Sequence, residues 1–336
     1  MIKVVVDAFG GDRSPDANVK GAIEAVNEIK DLHVIFTGDE NILNSKLSEY
    51  SYDKERVTII HAPEVIGCDE QPTVAIKNKK NSSMCVAYDL LKNDESVGAM
   101  VSIGSSGAIL AGGVLKIGRI KGVKRPAFCP ILPTMEGGVF AICDSGSNVD
   151  CKAEYLNQFA IMGSIYMKKA FGVENPKVAL LNVGVESEKG DLLRKEVYPM
   201  LKENKHINFV GNMESRDALS GNYDLIVCDG FSGNVLIKSI EGTAIELLKK
   251  IKKVFTKSLK NKLGALILKK DVMELKDYMD YNNYGGAVLL GASKTIIKGH
   301  GGSKWNAVYN CVKQAYKIEK TKLNEEIAKA IASIEE

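Results

Sequence analysis

One stretch of the sequence decides the fold: Leu225-Ile226-Val227-Cys228-Asp229-Gly230-Phe231-Ser232-Gly233-Asn234-Val235. Its first residues are apolar, as in a buried strand, and its glycines allow the chain to turn sharply. A long segment with helical periodicity begins near Asn234. The stretch therefore predicts a strand, a glycine loop and a helix start. Unpaired backbone N–H groups and the positive end of the helix dipole favour an anion at such a junction, and phosphate is the obvious candidate.

The same pattern of a strand followed by glycines recurs along the chain. The further copies are residues 4–12, 100–107, 179–184 and 296–303. A strand, a helix near Pro15 and a second strand from His33 form a βαβ unit at the amino-terminal end, which predicts a parallel sheet. Parallel strands deliver their following loops to one edge, where α/β proteins bind ligands. We therefore expect these glycine loops to line one cleft.

Length and composition narrow the class of protein. The chain has 336 residues, of which 45% are hydrophobic and 26% charged, and no linker-like stretch divides it, so we expect one composite α/β domain over residues 1–336. The net charge of +3 gives no argument for nucleic acid. Seven cysteines without a C-x-x-C pair predict neither a disulfide framework nor a zinc site. The absence of a leader or a long apolar run predicts a cytoplasmic protein.

One segment departs from this pattern. Apolar residues recur at helical spacing over residues 240–268, which is longer than an average helix, and lysines surround the apolar face formed by Leu263, Leu266 and Ile267. A basic amphipathic segment can lie on a membrane surface, but such a stripe more often packs on a partner helix or a second subunit. We expect residues 240–283 to protrude, with a dimer contact in the first part and membrane or protein contact at the tip.

Several catalytic motifs are missing from the sequence. It contains no Walker motif, no nucleophile elbow, no H-E-x-x-H pair and no convincing dinucleotide fingerprint after a strand. Nucleotide hydrolysis, serine acyl chemistry and zinc hydrolysis are therefore disfavoured. The acidic residues at strand ends match no metal-binding loop in their spacing, so we expect neither a metal nor a cofactor.

Three polar residues are candidates for a site. His300 lies between glycines in a loop, where a packing role is unexpected. Lys189 follows a strand and precedes a helix, so its ammonium could meet a phosphate at the helix start. We favour this site role over a solvated lysine beside two glutamates, because loop residues at strand ends carry function more often than helix faces do. Asn234 could orient a phosphate or a carbonyl, or cap its own helix.

Several motifs have the order and spacing of one known family. They are Asp7-Ala8-Phe9-Gly10-Gly11-Asp12, Lys79-Lys80-Asn81-Ser82-Ser83-Met84, Gly190 after Glu188-Lys189, Gly211-Asn212, Asp229-Gly230-Phe231-Ser232-Gly233-Asn234-Val235, Tyr284-Gly285-Gly286 and Gly299-His300-Gly301. In this combination the chain resembles the bacterial phosphate acyltransferases, which move an acyl group from acyl carrier protein to inorganic phosphate. The resemblance implies a Rossmann-like α/β/α fold with a protruding helical pair, related to phosphotransacetylases and to isocitrate- and isopropylmalate-type dehydrogenases. It also implies a homodimer without a cofactor that acts in phospholipid synthesis, at a membrane surface and beside a membrane-bound glycerol-3-phosphate acyltransferase.

The resemblance also implies roles for particular residues. Lys189 and Asn234 are expected to be catalytic, Lys189 by holding phosphate and Asn234 by orienting it or donating to the oxyanion. His300 is expected to protonate the departing thiolate, with Asp229 in support. The residues expected to bind phosphate or substrate are Gly10, Gly11, Gly104, Ser105, Ser106, Gly107, Asn182, Asp229, Gly230 and Gly233.

Three questions about partners and activity stay open at this level. The acidic carrier protein is expected to dock on Lys79 and Lys80 or on the basic helix, although a solvated face explains the same lysines. The nearest rival activity is that of a phosphotransacylase that uses acyl-coenzyme A. A nicotinamide-dependent dehydrogenase and a non-catalytic membrane scaffold are two more distant rivals.

Overall fold

The computed structural model describes residues 1–335, in which helices alternate with the strands of two β-sheets. The strands are β1 (Ile2–Asp7), β2 (Leu32–Gly38), β3 (Val57–His61), β4 (Val97–Ser102), β5 (Ala127–Cys129), β6 (Ile131–Pro133), β7 (Val139–Cys143), β8 (Lys177–Asn182), β9 (Asn208–Glu214), β10 (Leu225–Val227), β11 (Ala287–Leu290) and β12 (Thr295–Lys298). The helices are α1 (Asp16–Glu28), α2 (Glu40–Leu47), α3 (Pro72–Asn78), α4 (Ser83–Asn93), α5 (Ser106–Gly112), α6 (Ala153–Phe171), α7 (Leu192–Glu203), α8 (Gly230–Thr256), α9 (Leu259–Ile267), α10 (Lys269–Tyr278), α11 (Trp305–Thr321) and α12 (Leu323–Glu335).

Both sheets are largely parallel. The seven-stranded sheet has the order β3-β2-β1-β4-β12-β11-β5, with β11 antiparallel to its two neighbours. The five-stranded sheet has the order β6-β7-β10-β8-β9, with β6 antiparallel to β7. Val4, Val5 and Val6 of β1 are all buried, because helices cover both faces of a parallel sheet. The predicted α/β class with a Rossmann-like, largely parallel sheet is confirmed.

One hydrophobic core joins the two sheets. Helix α6 contacts β7 and β10 of the smaller sheet and also α11, which packs on β4 and β12 of the larger one. Its Phe159 and Tyr166 are fully buried, and it ends at Gly172, whose φ of 73° is the left-handed conformation that glycine adopts at helix ends. A shared core favours the single composite domain predicted for residues 1–336, which stays a prediction.

The chain changes sheets at Pro130. On one side of this residue β5 belongs to the seven-stranded sheet, and on the other β6 begins the five-stranded sheet. The loops after β1, β4 and β12 therefore leave one sheet, whereas the loops after β8 and β10 leave the other. The expectation that all the glycine loops share one sheet edge is wrong, because it assumed that all the strands lie in a single sheet.

Helices α8, α9 and α10 cover the segment that was predicted to protrude. The buried residues of α8 end at Leu236, and among the described residues of α9 and α10 there is no buried one. Leu263, Leu266 and Ile267 are 65%, 69% and 81% exposed. The periodic segment is interrupted at Ser258, whose hydroxyl caps α9. In the described chain, no helix combines the length and apolar character needed to span a membrane.

Candidate active site

A cavity of about 630 Å³ lies at the carboxyl ends of the neighbouring parallel strands β4 and β12. Its walls include the loops 104–107 and 299–303, which follow these two strands. The turn at Ser145 and Gly146 and the side chain of Asn234 on α8 close it from the other sheet. The cavity therefore lies where strand-end loops of both sheets meet, as is common for ligand sites in α/β folds.

A buried carboxylate supports the loop after β4. Asp7 at the end of β1 accepts hydrogen bonds from the hydroxyls of Ser83 at 2.6 Å and Ser102 at 2.7 Å. Burial raises the pKa of Asp7, and these two hydroxyls act against that effect. A Cβ on Gly10 would lie 2.7 Å from the Asp7 carboxylate and 2.8 Å from the backbone nitrogen of Gly104. Gly10 thus lets the loop after β1 pack under the loop that lines the cavity.

A second buried carboxylate organises the turn opposite α8. The Asp144 carboxylate accepts hydrogen bonds from five groups at 2.6 to 3.2 Å. They are the backbone N–H groups of Phe128, Ser145, Ser147 and Asn148 and the side-chain amide of Asn148. This turn presents Gly146, where a Cβ would lie 3.0 Å from the Asn234 amide nitrogen. A Cβ on Gly233 would lie only 2.0 Å from the Asp144 carbonyl oxygen, and one on Gly230 would lie 2.7 Å from that of Asn148. The glycines at the start of α8 therefore permit close packing on this turn.

Charged side chains line the same cavity. Asn234, Lys238 and Glu241 lie on one face of α8, spaced as helix neighbours, and Lys298 enters from the end of β12. Burial lowers the pKa of Lys298, against the effect of the Glu241 charge. Burial likewise raises the pKa of Glu241, and the positive charges of Lys298 and Lys238 act against this increase. A dianion bound here would stabilise the charged form of Lys298.

His300 lines the same cavity. Its Nδ1 accepts a hydrogen bond from the Gly302 N–H at 3.2 Å, so in the neutral ring the proton lies on Nε2. Burial and the Lys298 charge lower the pKa of His300, so the ring is mainly neutral at neutral pH. This geometry suits a hydrogen-bond donor better than the proton donor to the thiolate that the sequence predicted.

A separate cavity of about 460 Å³ lies on the opposite face of α8, lined among others by Asn182, Gly190 and Arg194. Beside it Asp229 caps α8 by accepting the Ser232 N–H at 2.8 Å, and it also accepts from Arg194. Burial raises the pKa of Asp229, but the Ser232 N–H and the Arg194 charge outweigh burial and hold it below its usual value. The carboxylate of Asp229 itself therefore occupies the helix start that the sequence assigned to phosphate.

Lys189 lies in the exposed loop beside this second cavity. Its carbonyl oxygen accepts from the Asn182 side-chain amide at 3.0 Å, and its aliphatic chain lies next to Gly184. The following helix start is capped by Asp191, which accepts from the Arg194 N–H at 2.8 Å. Of the three predicted catalytic residues, the fold thus brings Asn234 and His300 together and places Lys189 on the other side of α8.

The predicted binding residues divide into three groups. The first group lines the 630 Å³ cavity and consists of Gly104, Ser105, Ser106 and Gly107. The second group supports close backbone packing and consists of Gly10, Gly11, Gly230 and Gly233. The third group lies at or beside the second cavity and consists of Asn182 and Asp229.

Two lysines of the cavity were not singled out from the sequence. Lys298 ends an apolar strand directly before the glycine loop, so its position at a strand end was a usable signal. Lys238 and Glu241 follow Asn234 at helical spacing, which places them on its face of α8 once the helix is known.

The chain is similar to known proteins in both sequence and fold. A family model described as "Fatty acid synthesis protein" matches residues 2–326. A phosphate acyltransferase from Clostridioides difficile is 43% identical, with 100% of this chain and 98% of the relative covered. A putative phosphate acyltransferase from Clostridium perfringens is 47% identical, with 98% of this chain and 97% of the relative covered. A phosphotransacetylase structure from Streptococcus pyogenes has a TM-score of 0.60 at 18% identity, over 95% of this chain and 94% of that one, and this likeness supports the fold alone. The family predicted from the motifs is thereby confirmed, and the chain belongs to the phosphate acyltransferases.

Proposed function

We propose that this protein forms an acyl phosphate from an acyl-acyl carrier protein and inorganic phosphate, as a step in phospholipid synthesis. The observation that carries the proposal is the 630 Å³ cavity, which places Lys298, Lys238, Asn234 and His300 among glycine-rich loops. Ammonium groups and backbone N–H groups are the usual ligands of phosphate in proteins. Membership of the family supports the same assignment.

The reaction needs no intermediate on the enzyme. An oxygen of hydrogen phosphate attacks the thioester carbonyl carbon, a carbon–oxygen bond forms, the carbon–sulfur bond breaks, and the electron pair leaves on sulfur. The proton that hydrogen phosphate loses equals the proton that the thiolate gains, so the overall reaction releases none. A thiol with a pKa of about 8.5 is a good leaving group, and phosphate with a second pKa of about 6 is mainly dianionic at neutral pH.

Each cavity residue has a role in this proposal. Lys298 and the loop 104–107 hold phosphate, with Lys238 adding positive charge at the same wall. Asn234 orients phosphate or donates to the oxyanion that forms at the carbonyl carbon. His300, through its Nε2 proton, donates a hydrogen bond to the developing negative charge.

Two cysteines line the cavity and are not needed as nucleophiles. Burial raises the pKa of Cys311 to about 12, which keeps it a neutral thiol. Cys68 lies at the exposed rim. Direct attack by phosphate therefore stays the simpler chemistry.

A hydroxylamine trap for acyl phosphate tests the function. Purified protein is incubated with inorganic phosphate and either acyl-acyl carrier protein or acyl-coenzyme A, and hydroxamate is measured. We expect phosphate-dependent hydroxamate mainly from the carrier-protein donor. Faster product from acyl-coenzyme A would favour the rival phosphotransacylase, and no phosphate-dependent product from either donor would refute both.

We expect Asn234→Ala to lower kcat at least about tenfold, since it removes a donor that acts at the reacting atoms. The matched control is Cys68→Ser, which changes the same cavity at its rim and should keep the wild-type rate. Lys189→Ala is predicted from the sequence to lower turnover at least about tenfold as well, and the loop that carries Lys189 would have to close over α8 for that effect. Wild-type turnover in Asn234→Ala would exclude its role.

The pH dependence reports on Lys298. Only the protonated ammonium binds phosphate, and burial lowers its pKa below 10.5, so kcat/KM for phosphate should fall as pH rises through that lowered pKa. Arginine stays protonated throughout this range, so the alkaline fall should be absent in Lys298→Arg. An unchanged alkaline limb in Lys298→Arg, after correction for thioester hydrolysis without enzyme, would assign the limb to another group.

The partners are part of the proposal. Lys79 is held by an ion pair with Glu70 at 2.7 Å, whereas Lys80 is exposed, so Lys80 is the better candidate for docking an acidic carrier protein. The exposed apolar residues Leu263, Leu266 and Ile267 on α9 support contact with a membrane surface or with a membrane-bound acyltransferase. The exposed apolar residues of α8, such as Ile245, support a homodimer. These features are consistent with a cytoplasmic protein at a membrane surface.

A further inference from the structure

A smaller cavity of about 250 Å³ lies beside the site, between α8, the end of α10, the strand β6 and Leu219. Its walls are mainly apolar and include Leu132, Met135, Ile240, Ala244, Leu248 and Met279. A mainly apolar space of this kind favours an apolar ligand over water. The 630 Å³ cavity beside it, the reaction cavity, is lined by charged and polar groups, so the two spaces accept different ligand chemistry.

The two cavities adjoin. Glu241 and Asn282 line both of them. On α8, Asn234 and Lys238 face the reaction cavity, and Ala244 and the residues one turn later face the apolar one. A ligand with a polar end and an apolar tail can therefore occupy both spaces at once, with its polar end beside Asn234.

Hydrogen bonds hold the apolar cavity in place. The Tyr278 hydroxyl at the end of α10 donates to the Thr134 carbonyl oxygen that follows β6. The Tyr284 hydroxyl donates to the Tyr278 carbonyl oxygen at 2.9 Å, and Asp280 accepts the Asn282 N–H at 3.0 Å. The first of these hydrogen bonds joins α10 to the segment after β6 at the cavity wall, and the other two fix the turn that follows α10.

We infer that this cavity binds the hydrocarbon chain of the acyl donor while its thioester lies in the reaction cavity. The inference rests on the proposed function, because it takes the thioester to react beside Asn234. It adds a site for the chain and a basis for selecting its length. Each methylene that enters the cavity raises kcat/KM by up to about fourfold, until the cavity is full.

Ala244→Trp tests the inference by filling the cavity from α8. The matched control is Thr243→Trp, which places the same side chain at the adjacent exposed position of the same helix. Rates of acyl phosphate formation are measured with butyryl and palmitoyl donors. In Ala244→Trp we expect kcat/KM for the palmitoyl donor to fall at least about tenfold, which is the contribution of about two bound methylenes. The value of kcat/KM for the butyryl donor should stay within about twofold of wild type. Thr243→Trp should keep both rates.

The outcomes separate this inference from the proposed function. If wild-type protein forms no acyl phosphate from either donor, the proposed function fails. If wild-type protein is active but Ala244→Trp leaves the palmitoyl preference unchanged, or lowers both rates equally while folded, the chain does not bind here. Ala244→Leu, which fills less of the cavity, should change the preference in the same direction by a smaller factor, and it decides the question if Ala244→Trp does not fold.

Discussion

Lys298→Met is expected to lower kcat/KM for inorganic phosphate by about 100-fold, or roughly 2.7 kcal/mol. The Lys298 ammonium enters the reaction cavity from the end of β12, in surroundings that lower its pKa by burial. Methionine keeps the length and apolar body of the side chain but removes the charge. A phosphate dianion then loses its charge-assisted hydrogen bond, and Glu241 keeps the Lys238 charge but loses that of Lys298. Initial rates over a range of phosphate concentrations measure the effect.

The control for this variant is Lys304→Met. Lys304 is exposed just beyond the same glycine loop, so the substitution makes the same change in side chain and net charge away from the cavity. It should leave kcat/KM within about twofold of wild type, because a single exposed charge contributes little. A wild-type Michaelis constant for phosphate in Lys298→Met would remove this residue from the phosphate site.

Asp144→Ala is expected to lower the free energy of unfolding by about 3–5 kcal/mol. The Asp144 carboxylate is completely buried and accepts hydrogen bonds from four backbone N–H groups and one side-chain amide. Alanine removes this acceptor from the backbone N–H groups of Ser145, Ser147 and Asn148 and leaves a cavity, whereas the Phe128 N–H keeps the Ser147 hydroxyl and the Asn148 side-chain amide keeps the Pro126 carbonyl. Burial raises the pKa of Asp144, so the carboxylate is costly to bury and its donors compensate for that cost. Urea unfolding followed by circular dichroism measures the loss.

Asp150→Ala is the matched control for this change. Asp150 lies at the exposed end of the same turn, and its loss should change the free energy of unfolding by no more than about 0.5 kcal/mol. The turn also positions Gly146 opposite Asn234, so folded Asp144→Ala should lose activity as well. Equal unfolding midpoints for Asp144→Ala and wild type would show that the donors find other partners.

The sequence predicts the elements of this fold better than their arrangement. The βαβ unit at Ile2–Gly38 and the apolar strands follow from local patterns, and the structure has each of them. Which sheet a strand joins depends on contacts between distant residues, and local pattern carries no such information. The division at Pro130 between β5 and β6 is of this kind, and it separates loops that the sequence placed on one edge.

The residues of the candidate site could likewise be predicted in part, where local patterns indicate them. Asn234 follows one glycine loop, His300 lies within another, and both residues line the same cavity. The pattern of strand, glycine and polar residue therefore predicted both of them. The start of α8 was placed near Asn234, but the helix begins at Gly230, and Asp229 rather than phosphate accepts its first N–H groups. A carboxylate directly before a helix is typical of a helix cap and also of a binding site. The ion pair with Arg194, which local sequence does not show, favours the cap for Asp229.

A structure of the protein crystallised with inorganic phosphate shows where phosphate binds, on which the proposed mechanism depends. We expect phosphate in the 630 Å³ cavity, within hydrogen-bond distance of the Lys298 Nζ and beside the loop 104–107. Phosphate bound instead beside Arg194 and Lys189, on the opposite face of α8, with the larger cavity empty, would contradict it.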